Sequence, residues 1–229
     1  MSTPLPRGLL AAWLCGVACT ATAAGGTGLK LGYADIGFNT KSGDLSGPAG
    51  TTPPGIQAAV VDTRTLALVA DVPLGGGWGI VVQLGTPPVL RFNGAGAGAS
   101  LGEVGSARAW FPAVLARWQP APWGPLQPYA AVGLNHTFFT EHRVTAAYTA
   151  AFGGSASRSR LKSSQGPVLK LGAEWQLNQH WGIDLAYARY GVRTTATITT
   201  TTPGLGDVAR SVEVRADPEV LSLLVGYRF

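Results

Sequence analysis

Charge is what this sequence has least of. Lys, Arg, Asp and Glu make up 13% of its 229 residues, against roughly 25% in an ordinary soluble domain. That is too few to coat a soluble surface. Cysteine is nearly absent: Cys15 and Cys19 both fall inside an N-terminal apolar stretch, so the chain beyond it carries neither thiol nor disulfide. The three histidines, His136, His142 and His180, share no spacing that suits a metal ion, and no metal or cofactor is expected. The formal charge of +5 is scattered, with no run of five like charges, which gives nucleic-acid binding through a basic tract no support. Beyond the N-terminus no apolar run approaches the ~20 residues of a spanning helix. Long helices are disfavoured too, because the chain holds 32 Gly and 16 Pro and each interior Gly costs ~1 kcal/mol, each Pro ~3. With seven Trp, seven Phe and six Tyr, disorder is a poor fit. The composition is that of a chain folded mostly as strands.

Residues 1–23 are read as a secretory signal peptide. A short start with Arg7 precedes an apolar run over residues 8–19, followed by small residues 21–24, the usual n-region, h-region and A-x-A order. Cleavage is expected near Ala23, leaving residues 24–229. A transmembrane anchor is the alternative, but twelve apolar residues are too few to span.

Period-two alternation recurs eight times in the remainder. It is carried by Leu29, Leu31 and Tyr33; by Leu66, Leu68, Ala70 and Val72; and by Trp78, Ile80, Val82 and Leu84. Next come Trp110, Val114, Ala116 and Trp118; Ala130, Val132 and Leu134; and Leu169, Leu171, Ala173 and Trp175. Trp181, Ile183, Leu185 and Tyr187, then Leu221, Leu223, Val225, Tyr227 and Phe229, complete the set. Short links near residues 73–77, 119–127 and 178–180 alternate with long ones near 39–58, 86–107, 140–163 and 194–211. Soluble domains seldom carry four such loops, whereas outer-membrane barrels have short periplasmic turns and long outer loops. Trp78, Trp118, Trp123, Trp175 and Trp181 all adjoin the short links, as an aromatic girdle at one membrane interface would. The pattern predicts an all-β fold, an eight-stranded antiparallel transmembrane β-barrel with four long extracellular loops.

Several segments carry a family likeness. They are Leu84-Gly85-Thr86-Pro87-Pro88, the stretch from Pro128-Tyr129 through Gly133-Leu134-Asn135 to Phe138-Phe139, the stretch from Trp181 through Asp184 to Tyr190, and Asp217-Pro218 running to Gly226-Tyr227-Arg228-Phe229. In these the chain resembles the OmpW family, including its alkane-uptake relatives: small eight-stranded barrels of Gram-negative outer membranes. Ala130-Ala131 departs from it, where a Gly is usual. The resemblance implies an outer-membrane location and passage of small hydrophobic molecules. Tyr227 and terminal Phe229 resemble the strand that the barrel-assembly machinery reads.

Parity sends the other residues inward. Near the periplasmic end these are Lys30, Asp71, Arg117, Glu174, Asp184 and Arg228, with Lys170 somewhat higher and Tyr129 and Gln176 beside them. Four bases facing three acids are expected to form mutual ion pairs, since unpaired burial is prohibitive. The outer half is apolar: Ile36, Phe38, Phe111, Ala113, Phe139, Val168, Tyr190 and Val220 point inward, among others. A funnel above a charged floor suits a small hydrophobic solute that enters from outside and leaves sideways into the bilayer. Pro87-Pro88 and Pro218 are candidates for the wall opening, since Pro removes a ladder donor. A plugged core is the alternative that the narrow bore allows; a closed structural barrel whose loops bind host factors, phage or lipopolysaccharide is the alternative function.

No catalytic set stands out. Glu141 and His142, with Ser155 nearby in the same loop, could be imagined as a set, but adjacent extended residues point apart, so no enzyme is expected. The Gly- and Ala-rich residues 95–99 read as a flexible loop, and the Thr-rich residues 194–203 as a strand extension. Arg143, Arg158, Arg160 and Lys162, with Glu141 alone against them, are expected to contact lipopolysaccharide phosphates. The expected partners are thus outer-membrane lipid, lipopolysaccharide, the assembly machinery and a small hydrophobic solute, with the barrel monomeric.

Overall fold

Hydrocarbon offers no partner for a backbone N–H or C=O, so strands that cross a bilayer must close on one another. The computed structural model describes residues 26–229; the expected leader, with Cys15 and Cys19, lies outside the described residues. Fifteen strands follow in chain order: β1 (Gly28–Phe38), β2 (Lys41–Ser42), β3 (Ile56–Val60), β4 (Thr63–Gly75), β5 (Trp78–Gly85), β6 (Val89–Gly96), β7 (Glu103–Trp110), β8 (Ala113–Trp118), β9 (Leu126–Val144), β10 (Ala156–Leu161), β11 (Ser164–Gln176), β12 (Trp181–Tyr190), β13 (Arg193–Thr202), β14 (Gly206–Arg215) and β15 (Pro218–Arg228). One short helix, α1 (Ala146–Ala151), joins them.

Eight of these strands are the staves of a closed antiparallel barrel in the order β1, β4, β5, β8, β9, β11, β12, β15. The ring shuts between β15 and β1, whose ladder runs without a shift from Gly28↔Arg228 to Phe38↔Pro218. These are the eight alternating segments of the sequence. Alternation puts large apolar residues outside and small ones inside. Leu31, Leu171 and Leu223 are 58%, 63% and 57% exposed, while Ala67, Ala131 and Ala186 are buried. An outer face of that kind is stable only against hydrocarbon.

Turns at the periplasmic end are tight. That between β4 and β5 runs through Gly75, Gly76 and Gly77 at φ of 96°, 60° and 82°, a left-handed succession that only Gly adopts readily. Trp78 and Trp118 face each other just above it, and Trp181 sits opposite Tyr227, whose ring also meets Phe229 edge-on at 5.1 Å. A second aromatic group lies at the other interface, where Trp110 stacks on Phe138 at 5.8 Å. Trp110 is eight residues from Trp118; at about 3.3 Å per residue on strands tilted about 40° this is roughly 20 Å of height, close to the apolar band of such barrels.

The four long connections are not simple loops. The first supplies β2 and β3, the second β6 and β7, the third the upper part of β9 with α1 and β10, and the fourth the β13–β14 hairpin. They pair with one another as β3-β6-β7-β9 and as β10-β13-β14-β2, lifting the barrel wall well above the lipid. Residues 194–203 fall largely in β13, and residues 95–99 close the β6–β7 hairpin through Gly96 and a 3-10 turn at Ala99–Leu101. The fourth alternating segment is interrupted: Phe111 and Pro112 separate β7 from β8. Leu171 sits midway up the lipid-facing side, so Leu171→Arg should cost about 2–4 kcal/mol in denaturant titrations of the protein folded into vesicles; an unchanged midpoint would mean that this face does not meet hydrocarbon.

Candidate functional site

The periplasmic mouth is filled by a charged cluster drawn from six staves. Lys30 on β1 donates from Nζ to Glu174 Oε2 and to Asp184 Oδ2, each at 2.7 Å, and lies 3.7 Å from Asp71 Oδ2. Arg117 on β8 pairs with Asp71 on β4, and Arg228 on β15 with Glu174 Oε1 at 3.0 Å. Tyr129 on β9 donates its hydroxyl to Asp184 Oδ1 at 3.0 Å, its ring beneath both Lys30 and Arg117. Gln119, Gln127 and Gln176 continue the network through two bonds of 2.6 Å. Each long side chain needs space, which glycines supply. A Cβ on Gly172 would come within 2.6 Å of the Tyr129 ring, and one on Gly226 or Gly182 within 3.0 Å of Lys30 or Glu174.

Three bases and three acids balance in this floor. Lys170 stands apart: its Nζ reaches Gln83 Oε1 at 3.4 Å and forms no ion pair among the described residues. The expectation of mutual pairing therefore fails for Lys170, because the three carboxylates are already spent on Lys30, Arg117 and Arg228 below it. Beneath the floor a cavity of about 150 Å³ lies between Lys30, Asp71, Arg117, Gln127, Glu174 and Arg228.

Above the floor the interior turns apolar. Ala113, Val168, Tyr190 and Val220 are buried, and Phe38, Phe111 and Phe139 pack on them. The raised wall adds residues that parity in the eight staves alone did not reach: Val60, Leu90, Phe92, Leu161, Ala196, Val212 and Val214 line a further apolar cavity of about 70 Å³ with Phe38, Phe111 and Phe139. The signal was present in the alternation of Val208, Arg210, Val212, Val214 and Ala216, within a stretch too polar overall to read as wall. Gln83 was also missed. Its Nε2 donates to Tyr190 Oη at 2.5 Å, closing the funnel's base above Lys170.

One seam interrupts the wall. The β5–β8 ladder stops at Gln83↔Ala113, and pairing resumes where Ala109 N–H donates to the Pro88 carbonyl. Between them Pro87 and Pro112 have no N–H to give, and Thr86 turns its N–H to Leu66 on β4. A cavity of about 40 Å³ lies there, bounded by Gln83, Leu84, Pro87, Pro88, Phe111 and Tyr190 among others. Pro218 behaves differently. It is buried and keeps its place in register opposite Phe38, so the β1–β15 wall is continuous at that point.

Of the four bases assigned to lipopolysaccharide, Arg143, Arg158 and Arg160 sit on β9 and β10 and Lys162 just beyond, all exposed. Glu141 does not oppose them: it pairs with Arg108 at 3.0 Å. Arg158 instead holds Asp207 at 2.8 Å, and the Thr201 hydroxyl together with Arg158 keeps the Asp207 carboxyl below the usual carboxylate range. The adjacent hairpin supplied a partner that counting along one loop could not see. Ser155 bonds the Thr201 carbonyl at 3.3 Å, so Glu141 and Ser155 each have other partners. His136 faces outward near Phe138, and His180 stacks on Tyr227.

If this cluster blocks the periplasmic end, Arg117→Ala with Glu174→Ala, which removes one charge of each sign, should raise single-channel ion conductance severalfold in planar bilayers. Conductance at the wild-type level would place the barrier elsewhere.

The sequence profile of the OmpW family matches residues 26–229. Outer membrane protein W of Vibrio cholerae serotype O1 is 27% identical over 131 residues. That alignment spans 57% of this chain and 57% of the relative's length. The crystal structure of OprG from Pseudomonas aeruginosa superposes with a TM-score of 0.79 at 24% identity, over 90% of this chain and 97% of that one. The solid-state NMR structure of AlkL in DMPC bilayers gives 0.62 at 19% identity, over 100% and 97%. At these identities the two structures speak for the fold. Profile, barrel and outward apolar band converge: the chain belongs to the OmpW family of Gram-negative outer-membrane proteins.

Proposed function

We propose that this barrel passes small hydrophobic molecules from the cell exterior into the outer membrane, entering the apolar funnel and leaving through the seam between β5 and β8. One observation carries the reading: Phe111 lines both the upper cavity and the seam cavity, so a single ring separates the funnel from the wall. The floor, with its ion pairs, closes the direct path to the periplasm for an apolar solute, since the charges cannot be left unpaired. Sideways departure costs an apolar solute nothing comparable, because it moves from one apolar surrounding to another. Both cavities are smaller than the ~300 Å³ of ordinary ligand pockets. Passage therefore requires the Phe111 ring to turn and the segment over residues 84–88 to give way. Neither step breaks a ladder bond between β5 and β8.

The direct test is uptake by liposomes containing the purified protein, with a medium-chain alkane derivative beside a hydrophilic sugar. Selective entry of the apolar reporter is expected, falling at least tenfold with Phe111→Arg, and similarly with Val220→Arg, while both variants keep the heat-modifiable mobility of a folded barrel. Entry that is unchanged in both, or absent from the wild type, would reject the funnel route and leave a closed barrel.

A second reading, contact with lipopolysaccharide, is favoured by a specific arrangement. Arg215 lies in register with Arg193 on one side and with Lys41 on the other; like charges directly opposite repel. Lys162 joins them around an open cleft of about 510 Å³ that also holds Glu213, and Arg215 is partly engaged by Asp217. Arg193 lies six residues above Tyr187, the last lipid-facing aromatic of β12, or roughly 15 Å higher on a tilted strand. Such a row suits the phosphate and carboxylate groups of the saccharide core, which Arg binds bidentately. This reading keeps Lys162 and replaces Arg143, Arg158 and Arg160 with Lys41, Arg193 and Arg215. Arg193→Gln with Arg215→Gln should lower retention of phosphorylated lipopolysaccharide in pull-downs severalfold and leave dephosphorylated material unaffected; equal retention of the two forms would remove the idea.

A further inference from the structure

We infer that the base of the funnel is a head-group site, so that the molecules best suited to this barrel are medium-chain carboxylates rather than plain hydrocarbons. The inference rests on the funnel reading above and names its substrate class. It starts from the charge balance. The floor cations Lys30, Arg117 and Arg228 are matched by Asp71, Glu174 and Asp184, which leaves Lys170 as an uncompensated cation one level higher, 3% exposed. A buried ammonium with one long hydrogen bond to an amide oxygen is costly unless something anionic joins it.

Its surroundings are rich in donors. Gln83 takes the Lys170 bond on Oε1 and spends its amide on Tyr190 Oη, so the Tyr190 hydroxyl proton is left to give. Gln83, Ala113 and Asn135 lie in one row across β5, β8 and β9. Asn135 is 2% exposed, and neither its amide nitrogen nor its oxygen has a hydrogen-bond partner among the described residues. Thr137, fully buried one inward position above it, is likewise without a partner for its hydroxyl. Polar groups left unpaired in an apolar interior each forfeit about 1–3 kcal/mol, so Asn135 and Thr137 at successive inward positions of β9, above a Lys170 held by one long bond, point to a ligand group that is itself polar.

Shape selects the class. The cavity beside Gln83 and Tyr190 is about 40 Å³, room for a carboxylate; Lys170 is bonded to Gln83 behind it, and its other walls are Thr65 and Thr86 beside Ile36, Phe111, Val220 and further apolar residues. An alkyl tail attached to that carboxylate runs past Phe111 into the upper cavity. A plain alkane in this cavity would leave the Tyr190 hydroxyl and, behind Gln83, the Lys170 ammonium unanswered; a sugar would meet a largely apolar lining above them.

The experiment is carbon-13 NMR titration of the protein in lipid nanodiscs at pH 8 with decanoate labelled at the carboxyl carbon, beside decan-1-ol labelled at carbon 1. Saturable binding of decanoate at least tenfold tighter than decan-1-ol is expected, reduced at least tenfold by Lys170→Met and restored to within about threefold by Lys170→Arg, with decan-1-ol unmoved by either. Equal affinity for acid and alcohol, or decanoate binding indifferent to Lys170→Met, would overturn the head-group site. Because Lys170→Met leaves the apolar walls intact, liposome uptake of the alkane reporter reports on the funnel separately: alkane uptake by both wild type and Lys170→Met with no preference for decanoate in the wild type sinks this inference alone, and no alkane uptake by either sinks the funnel itself.

Discussion

Backbone hydrogen bonding without water is the constraint from which this structure follows. A strand in hydrocarbon has only other strands to pair with, and the eight staves satisfy that by closing β15 onto β1 along the whole length of β1. Closure inverts the usual order of burial. The side of each strand that faces lipid carries Leu, Val and Trp, and the side that faces inward carries whatever the bore can hold. Since eight strands leave an interior only about as wide as side chains, what fills that interior decides what the barrel can do.

The interior is divided by height. At the periplasmic end, opposite charges from different staves compensate one another, and glycines at 172, 182 and 226 give Tyr129, Glu174 and Lys30 the space to reach across. A salt bridge of this kind is weak evidence for stability, since desolvation offsets most of the attraction, but it fills the mouth with paired charge. Toward the outside the charges cease. There the wall rises beyond the membrane through β2, β3, β6, β7, β10, β13 and β14, and the apolar lining rises with it. The proposed route thus runs between the charged floor and a seam where two prolines deprive the ladder of donors.

Much of this was legible in residue order. The eight staves, their inward and outward faces, the residues of the charged floor apart from Lys170 and the Trp belt at the short turns all follow from period two and from where the turns fall. The Pro87-Pro88 seam was legible as well, because a missing N–H is a property of the residue itself. Less legible were the raised hairpins, whose Thr- and Gly-rich strands carry polar residues on an outer face that meets water, so their apolar inner face is diluted in the sequence. The break at Phe111 and Pro112 was hidden inside a segment whose alternation runs through it unchanged.

The sequence by itself pointed to a membrane barrel: too few charges for a soluble surface, eight alternating segments with short and long connections in turn, and Trp gathered at the short ones fit a closed sheet that satisfies its own backbone in hydrocarbon. Only the tertiary structure decided who pairs with whom. Lys170 is one of four inward bases by parity, indistinguishable from Lys30 in sequence, yet Lys30 meets Glu174 and Asp184 and Lys170 meets an amide. Arg158 found Asp207 on another hairpin, and Lys41, Arg193 and Arg215 came into one row from segments far apart in the chain. The reason is physical: facing direction is local, set by the pleat of one strand, whereas partners are set by the stagger between strands, which closure of the barrel fixes as a whole.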